Sequence, residues 1–597
     1  MLCTVCERGC HIPEGGTGAC GMYKNQLGEI TEIFPDHFLV TSPISVETMP
    51  MLHYHPAGKF LQISTAGCNF NCPACISTVL AREAQSLSCA LRHKVPEEIV
   101  DMAIFHNCEG IAFLMNDPLA TLHTFLRVAD ASKAKGLLVG CSSNCYFTEA
   151  SLEQLMPRLD FMHVGFKGMS DDSYSRCGGK SAAPVLRNTR RMYNCGIHVE
   201  ASCVHRYGNE EEVIELVRHL AAISPDIPFH IMRLIPLEDV ETTHEPTIRQ
   251  SEKLCRDLKK YINYVYLFNS PGTQYLNTTC PACGAAVYRR EFYGPMGAKL
   301  TAQDTEHSDE KICRNCGYPI MINGKVCKTA FREGSFEGGY PFTRALEIME
   351  AILVAIGVTA KNDMIKIWDH VLSSGSLHNL HHSIQQPESF LCLIRKFGQF
   401  AAKRAQAEEL AGYMENILGI IKDGLTRTEY RPRVYYAMGK PLFSINGERM
   451  ENQLVEYAGG VSVNKLVQGS GRPGTGITAA ALNDLNPQYI FISAFLSSPP
   501  EDFYEDCLTA GICADAVRNR KIFGHPLPAS DFGSPRWILG IMHIANILHP
   551  EIFHFDILAE TDKFYQRFYH TEFNLADINR SFSKPSIKWK PAIEKNK

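Results

Sequence analysis

No uncharged apolar stretch in this 597-residue chain approaches the roughly 18 residues that a membrane-spanning helix needs. The most apolar segments, around 346–360 and 537–549, are interrupted by Glu or His. The opening MLCTVCERGC lacks the basic and then apolar order of a secretory signal. An excess of positive charge is missing as well. Against 59 Lys plus Arg stand 64 Asp plus Glu, and a net charge of -5 offers no general attraction to nucleic acid or an anionic membrane. There is no repeat and no low-complexity tract. These absences lead us to expect a soluble cytoplasmic protein with no membrane insertion and no nucleic-acid partner. Cysteine is scarce in one half only: 20 of the 23 lie in residues 1–327 and three in the rest, so two differently built halves are expected. In a reducing compartment clustered thiols point to metal rather than to disulfides.

Between residues 59 and 268 short β-rich runs alternate with amphipathic stretches. The expected strands are 60–65, 110–115, 137–142, 161–166, 198–204, 229–234 and 264–268. Segments such as PEEIVDMAIFHN and EEEVIELVRHLAAI carry apolar residues near i, i+3 and i+4, as helices do. Strand and helix repeated in that order specify a parallel sheet with right-handed crossovers. The α/β class follows, as a partial (β/α) TIM-type barrel whose chemistry sits at the C-terminal ends of its strands. Expected boundaries are a cysteine-rich head over 1–50, the barrel over 51–270, a small cysteine module over 271–330 and a second α/β domain over 331–597.

Directly after the first expected strand comes GCNFNCPACIS, with Cys68, Cys72 and Cys75 spaced C-x3-C-x2-C. Three thiolates on one loop can each hold one iron of a cubane 4Fe-4S cluster and leave the fourth iron open. This spacing is the radical SAM signature. The chain resembles the radical SAM enzymes related to pyruvate formate-lyase activating enzyme, in particular the branch of the AmmeMemoRadiSam system. The resemblance is carried by CTVCERGCHIPEGGTGACG, SPISVETMPMLHYHPAGKFLQIS, GIAFLMNDP, GLLVGCSSNCY, HVGFKGMSDDSYSRCGG and IPFHIMRLIP, over about residues 1 to 325. It implies that the open iron chelates S-adenosylmethionine. One electron then cleaves the carbon–sulfur bond, giving methionine and a 5'-deoxyadenosyl radical that abstracts hydrogen from substrate. Asn116, Asp117, Ser143, Asn144, Lys167, His230 and Arg233 would stand near that cofactor. Three positions depart from the family pattern: Ala74 replaces an aromatic residue, Cys145 a glycine, and Gly165 an acid.

The head supplies Cys3, Cys6, Cys10 and Cys20, which can enclose a tetrahedral zinc or a second cluster. Cys280, Cys283, Cys313 and Cys316 form two C-x2-C-G knuckles, a zinc-ribbon-like pattern. Cys89, Cys108, Cys177, Cys195, Cys203 and Cys255 read as small buried hydrophobes. The acidic stretch 303–311 reads as an exposed loop.

From about residue 335 the chain resembles the two-lobed binding proteins of iron-siderophore, haem and vitamin B12 uptake. The carrying residues are a long linking helix over 401–425, RPRVYYAM, TAAALNDLNPQYIFIS, Ser534-Pro535-Arg536 and His549-Pro550-Glu551, with a short first lobe before the helix. That resemblance implies capture of a metal complex or a tetrapyrrole. His378, His381 and His382 form a histidine patch, Tyr435, Arg472, Trp537 and His525 are candidate cleft residues, and GSGRPGTG offers backbone amides to an anion. The leading expectation is a radical SAM enzyme acting on a protein or cofactor substrate. Its electron donor would be of low potential, such as flavodoxin or ferredoxin. The alternatives are an intracellular metal or tetrapyrrole carrier and an activase of a glycyl radical enzyme.

Overall fold

Alternating strands and helices build an open eight-stranded sheet in the computed structural model, which describes residues 1–235, 244–301, 311–375, 377–469, 473–525, 527, 530–571 and 573. Its strands are β1 (Val40–Ser45), β2 (Lys59–Ser64), β3 (Gly110–Phe113), β4 (Leu138–Ser143), β5 (Phe161–Phe166), β6 (His198–His205), β7 (Phe229–Arg233) and β8 (Val265–Phe268). They lie side by side in chain order, with β1 antiparallel to β2 and every other neighbour pair parallel. The sheet is therefore a partial barrel with two free edges. The crossovers carry α1 (Pro96–Phe105), α2 (Leu122–Ala134), α3 (Glu149–Leu155), α4 (Ala183–Asn194), α5 (Glu210–Ala221) and α6 (Ile248–Leu258). Local chemistry sets their ends. Proline opens α1, the Thr148 hydroxyl accepts from the Ser151 amide at the start of α3, and α5 begins with three glutamates and ends with Arg218 and His219, matching the helix dipole.

The chain clusters into two compact units, Met1–Ile235 with Gln250–Asn269 and Gln274–Thr343, and Pro236–Arg249 with Ser270–Thr273 and Arg344–Lys597. Within the first unit the cysteine-rich head continues into a hairpin, Tyr23–Gln26 against Glu29–Glu32, whose turn places Leu27 and Gly28 at positive φ. Glu32 accepts from the amides of His123 and Thr124 at the start of α2, which anchors the head on the barrel.

One buried ion pair ties the segment after β8 to the segment that follows β1, and a second joins two segments after β8 that hydrogen-bond to Ser45 and Thr48. Arg290 donates to Glu47 at 2.7 Å with neither side chain exposed, and Lys299 meets Glu333 at 2.7 Å. Arg290 also donates to the Leu52 carbonyl and the Thr278 hydroxyl. The LHYH segment between β1 and β2 is fully occupied. His53 bonds the Tyr266 hydroxyl at 2.5 Å, Tyr54 stacks on Phe161, and His55 meets Glu109 at 2.6 Å.

The second unit opens with helices α7 (Tyr340–Ala355), α8 (Lys361–Ser373), α9 (Leu377–Ser383), α10 (Pro387–Phe400) and α11 (Arg404–Leu425). The 22-residue α11 buries Ala407, Leu410, Ala411, Met414, Ile417, Ile421 and Gly424, a stripe of helical period. A six-stranded sheet follows: β9 (Arg433–Ala437), β10 (Phe443–Ile445), β11 (Val461–Ser462), β12 (Gly474–Gly476), β13 (Tyr489–Ile492) and β14 (Ile522–Phe523), with β11, β9, β13 and β14 parallel. Helices α12 (Met450–Tyr457), α13 (Ala479–Leu485), α14 (Pro500–Thr509), α15 (Trp537–Leu548) and α16 (Ile557–Phe564) complete it. The short first lobe is helical throughout among its described residues, so the unit pairs a helical lobe with an α/β lobe. Among the described residues no helix is long and apolar enough to cross a membrane.

Removing one charge of a buried pair leaves the other uncompensated. Glu47→Gln is expected to cost the first unit about 3–5 kcal/mol, seen as a lower urea midpoint by circular dichroism. All three tryptophans lie beyond residue 360, so the fluorescence transition should hold its position. A shared shift of both signals, or none, contradicts this role.

Candidate functional site

Beyond β2 the chain turns through Gly67, at φ 80°, into the loop carrying Cys68, Cys72 and Cys75. A side chain at Gly67 would meet the Cys20 carbonyl at 2.5 Å, so this turn admits only glycine. Asn116, after β3, braces the turn. Its carbonyl accepts from the Thr65 amide at 3.0 Å, and its amide donates to the carbonyls of Ala66 and Gly67 at 3.1 Å each. Asp117 accepts from the Asn144 amide at 2.7 Å and the Ser143 hydroxyl at 3.1 Å, joining the β3 loop to the β4 loop. Asn144 in turn donates to Asn69 at 2.6 Å and lies 3.9 Å from the Cys68 sulfur. The sequence-predicted Asn116, Asp117, Ser143 and Asn144 thus assemble on one rim and bond mainly to one another and to the cysteine loop. Four non-glycine residues in loops at this rim, Ala74, Met115, Cys145 and Asn269, sit at positive φ between 56° and 83°. Strained backbone of this kind gathers at functional rims. Cys145 occupies a left-handed position of the kind that glycine favours.

Lys167 follows β5. A Cβ built at Gly165 lies 3.6 Å from the Lys167 Nζ, so an acid there would stand beside that ammonium. With glycine instead, the ammonium interacts chiefly with the thiols of Cys72, Cys177, Cys68 and Cys75. Burial alone would lower its pKa, and those sulfurs reverse the shift and raise it. Contact with the Cys177 thiol holds Cys72 below the ordinary thiol range against burial, helped by Lys167 and Arg82, while Cys177 keeps its proton. Cys177 is the functional neighbour that sequence reading missed. Its place ten residues after Lys167 in the same quoted segment was the available signal. Cys108, Cys203 and Cys255 are buried as expected, whereas Cys89 and Cys195 are exposed.

His230 and Arg233 belong to β7. His230 donates from Nε2 to the Glu200 carboxylate at 2.7 Å, stacks on Tyr266, and has no partner at Nδ1. Arg233 donates to the Asn269 carbonyl at 3.0 Å. Glu200 is fully buried and also meets His198 at 3.1 Å and the amides of Leu52 and His53. Burial would raise its pKa, and the hydrogen bonds from His198 and His230 drive it well below the usual range instead.

The four-cysteine module is built from two matching knuckles. The amides of Gly284 and Gly317 donate back to the carbonyls of Cys280 and Cys313, and both glycines are left-handed. Sulfurs of Cys280 and Cys316, and of Cys283 and Cys313, lie 3.6 Å apart. Among the described residues these four are the one set of three or more ligand atoms all within 4.8 Å of one another, positioned to hold a metal ion. Most of the acidic stretch at 303–311 lies outside the described residues.

In the second unit Tyr435 is a core residue, its hydroxyl bonded to the Pro441 carbonyl, so it lines no cleft. The neighbouring Tyr436 instead contacts His525 and donates to Asp531 at 3.3 Å, beyond the C-terminal ends of β9, β13 and β14. Trp537 is buried, residues 470–472 of GSGRPGTG, Arg472 among them, lie outside the described residues while Gly474–Gly476 form β12, and His378 and His382 approach to 2.9 Å on exposed α9.

Residues 63–220 match the family model described as the radical SAM superfamily. The chain carries a radical SAM domain. An uncharacterized protein of Methanocaldococcus jannaschii is 27% identical to the chain over 329 residues, which is 54% of this chain and 95% of the relative. Solved structures similar to part of the chain include a periplasmic solute-binding protein of Veillonella parvula, at 22% identity and TM-score 0.30 over 33% of this chain. A solute-binding protein of Sulfurospirillum deleyianum follows at 24% and 0.28 over 32%, and the molybdate-binding protein of Haemophilus influenzae at 20% and 0.27 over 32%. The chain spans 61%, 60% and 58% of those three proteins.

The Glu200 carboxylate sets a pH dependence inside the radical SAM domain. A depressed folded pKa contributes stability that is complete above the ordinary value of 4.5 and is lost as pH falls through the depressed one. Glu200→Gln should therefore lower the urea midpoint at pH 7 and flatten its fall below the ordinary carboxylate value of 4.5. A variant curve running parallel to that of the natural chain would exclude this role.

Proposed function

We propose that this protein is a radical SAM enzyme of the branch related to pyruvate formate-lyase activating enzyme, acting on a protein or cofactor substrate. The observation that carries the reading is the loop of Cys68, Cys72 and Cys75 beside Lys167, inside the region that matches the radical SAM model. The donor set fits a 4Fe-4S cluster: three soft, partly exposed thiols on one loop, with an ammonium to offset the charge that thiolates bring. When bound, cluster and S-adenosylmethionine supply a one-electron cleavage that yields a hydrogen-abstracting deoxyadenosyl radical.

The chain's own residues prepare that rim. Asn116 fixes the turn into the cysteine loop, Asp117 locks the β3 and β4 loops together, and Lys167 with Arg82 steadies thiolate at Cys72. Asn116 and Asp117 would stand by the methionine part of the cofactor, and Ser143, Asn144, His230 and Arg233 would stand near the same cofactor. Cys280, Cys283, Cys313 and Cys316 would hold zinc in a ribbon, since their sulfur spacing suits the tetrahedral ion. The domain over 331–597 would bind a metal complex or tetrapyrrole, with Tyr436, His525 and Asp531 offering oxygen and nitrogen donors beyond parallel strand ends. A cytoplasmic setting with a flavodoxin or ferredoxin as donor completes the proposal.

The test is anaerobic reconstitution followed by dithionite and S-adenosylmethionine. The natural chain should form 5'-deoxyadenosine, and Cys72→Ala should fall to the level of a cluster-free control. Equal yields from the two, or none from either, would remove the enzyme reading.

A further inference from the structure

The histidines of SLHNLHHS take no part in the sites described above. His378 and His382 are four residues apart on α9, which puts both rings on one face of the helix. Both are exposed, while Leu380 on the opposite face is buried. The end of α9 is tied down. The Ser383 hydroxyl donates to the Asn379 carbonyl at 2.8 Å, and the Gln385 amide donates to the His382 carbonyl at 3.1 Å. The Gln385 side chain then accepts from the Met450 amide at 3.2 Å, which joins the end of α9 to the start of α12. The two rings therefore stand on a supported turn of helix.

Their Nε2 atoms lie 2.9 Å apart, with ring centroids 4.3 Å apart and ring planes at 80°. Ring nitrogens aimed straight at one another across a hydrogen bond would hold the centroids about 5 Å apart. At 4.3 Å the arrangement is bent instead, as it is when both nitrogens turn toward one shared ion. Nitrogens held about 2.0–2.1 Å from a metal ion are about 2.9 Å apart at neighbouring corners of a square, and about 3.3 Å apart at corners of a tetrahedron. The observed spacing is that of the square, which Ni2+ and Cu2+ adopt with nitrogen ligands and zinc does not. Histidines at i and i+4 on one helix face are a known way of presenting two ligands to one metal. Among the described residues no third histidine, cysteine or carboxylate atom lies within 4.8 Å of both, so the other corners are open to water.

We propose that His378 and His382 form a surface site for one divalent nickel or copper ion, bound through both Nε2 atoms with water at the remaining positions. The site is separate from the cysteine sets and from the donors beyond the ends of β9, β13 and β14, and it stands independently of the enzyme reading. Structural metal sites are closed by four protein ligands. With two exposed ligands this one keeps its ion exchangeable, so it receives and releases metal and does not hold the fold together.

Nickel is the probe, because cupric ion oxidises thiols. The full chain without an affinity tag, kept anaerobic and loaded with zinc at its cysteines, is equilibrated with Ni2+ and freed of unbound metal, alongside His378→Ala and His382→Ala variants. The natural chain should hold about one more nickel than either variant. Nickel X-ray absorption of the natural chain should show, beyond what the variants show, nitrogen and oxygen neighbours with imidazole scattering and no sulfur. An equal amount of zinc should leave that nickel in place. Equal uptake by all three proteins overturns the proposal and leaves the pair as a hydrogen bond between two rings. Sulfur around the extra nickel overturns it too, and loss of that nickel to equimolar zinc overturns the square geometry. Both positions are exposed, so the variants should keep the circular dichroism of the natural chain, and if one fails to fold the other decides.

Discussion

The Lys167 ammonium interacts with the thiols of Cys72, Cys177, Cys68 and Cys75, where burial alone would lower its pKa. Its charge is retained because those sulfurs favour it, and its presence in turn favours thiolate at Cys72. This reciprocal dependence explains much of the rim. A loop bearing three partly exposed thiols holds its shape only if its turn is braced, and Asn116 and Asp117 do that with nearly all of their polar atoms. Glycine at 165 puts no side chain beside the ammonium, and Lys167 interacts with sulfur instead.

The barrel strands were legible because each combines β-rich composition with a following amphipathic helix, and that alternation leaves few topologies open. Strand limits at β5 coincide with the expected 161–166, and β2 differs by one residue at each end. The set of Cys280, Cys283, Cys313 and Cys316 was legible by spacing. The pairings that join remote segments were not: Arg290 with Glu47 and Lys299 with Glu333 span 243 and 34 residues, and single charged residues in loops carry no sequence signal of burial. Cys177 was hidden because a lone cysteine outside any spaced set reads as packing.

In the second unit the register of one strand separates two neighbouring tyrosines. Tyr435 faces the apolar core, and Tyr436, on the other face of the same strand, reaches His525 and Asp531. Alternation along a strand makes that choice, and the sequence YY does not reveal which face is polar.

The claim at the centre of this account is that the Cys68, Cys72, Cys75 loop holds a cluster with one iron open to S-adenosylmethionine. Mössbauer spectroscopy of the chain carrying Cys6→Ala/Cys20→Ala, reconstituted with 57Fe, addresses it most directly. We predict that S-adenosylmethionine moves one iron of about four to the parameters of a higher-coordinate site and leaves the others unchanged. A spectrum identical with and without S-adenosylmethionine would contradict the account.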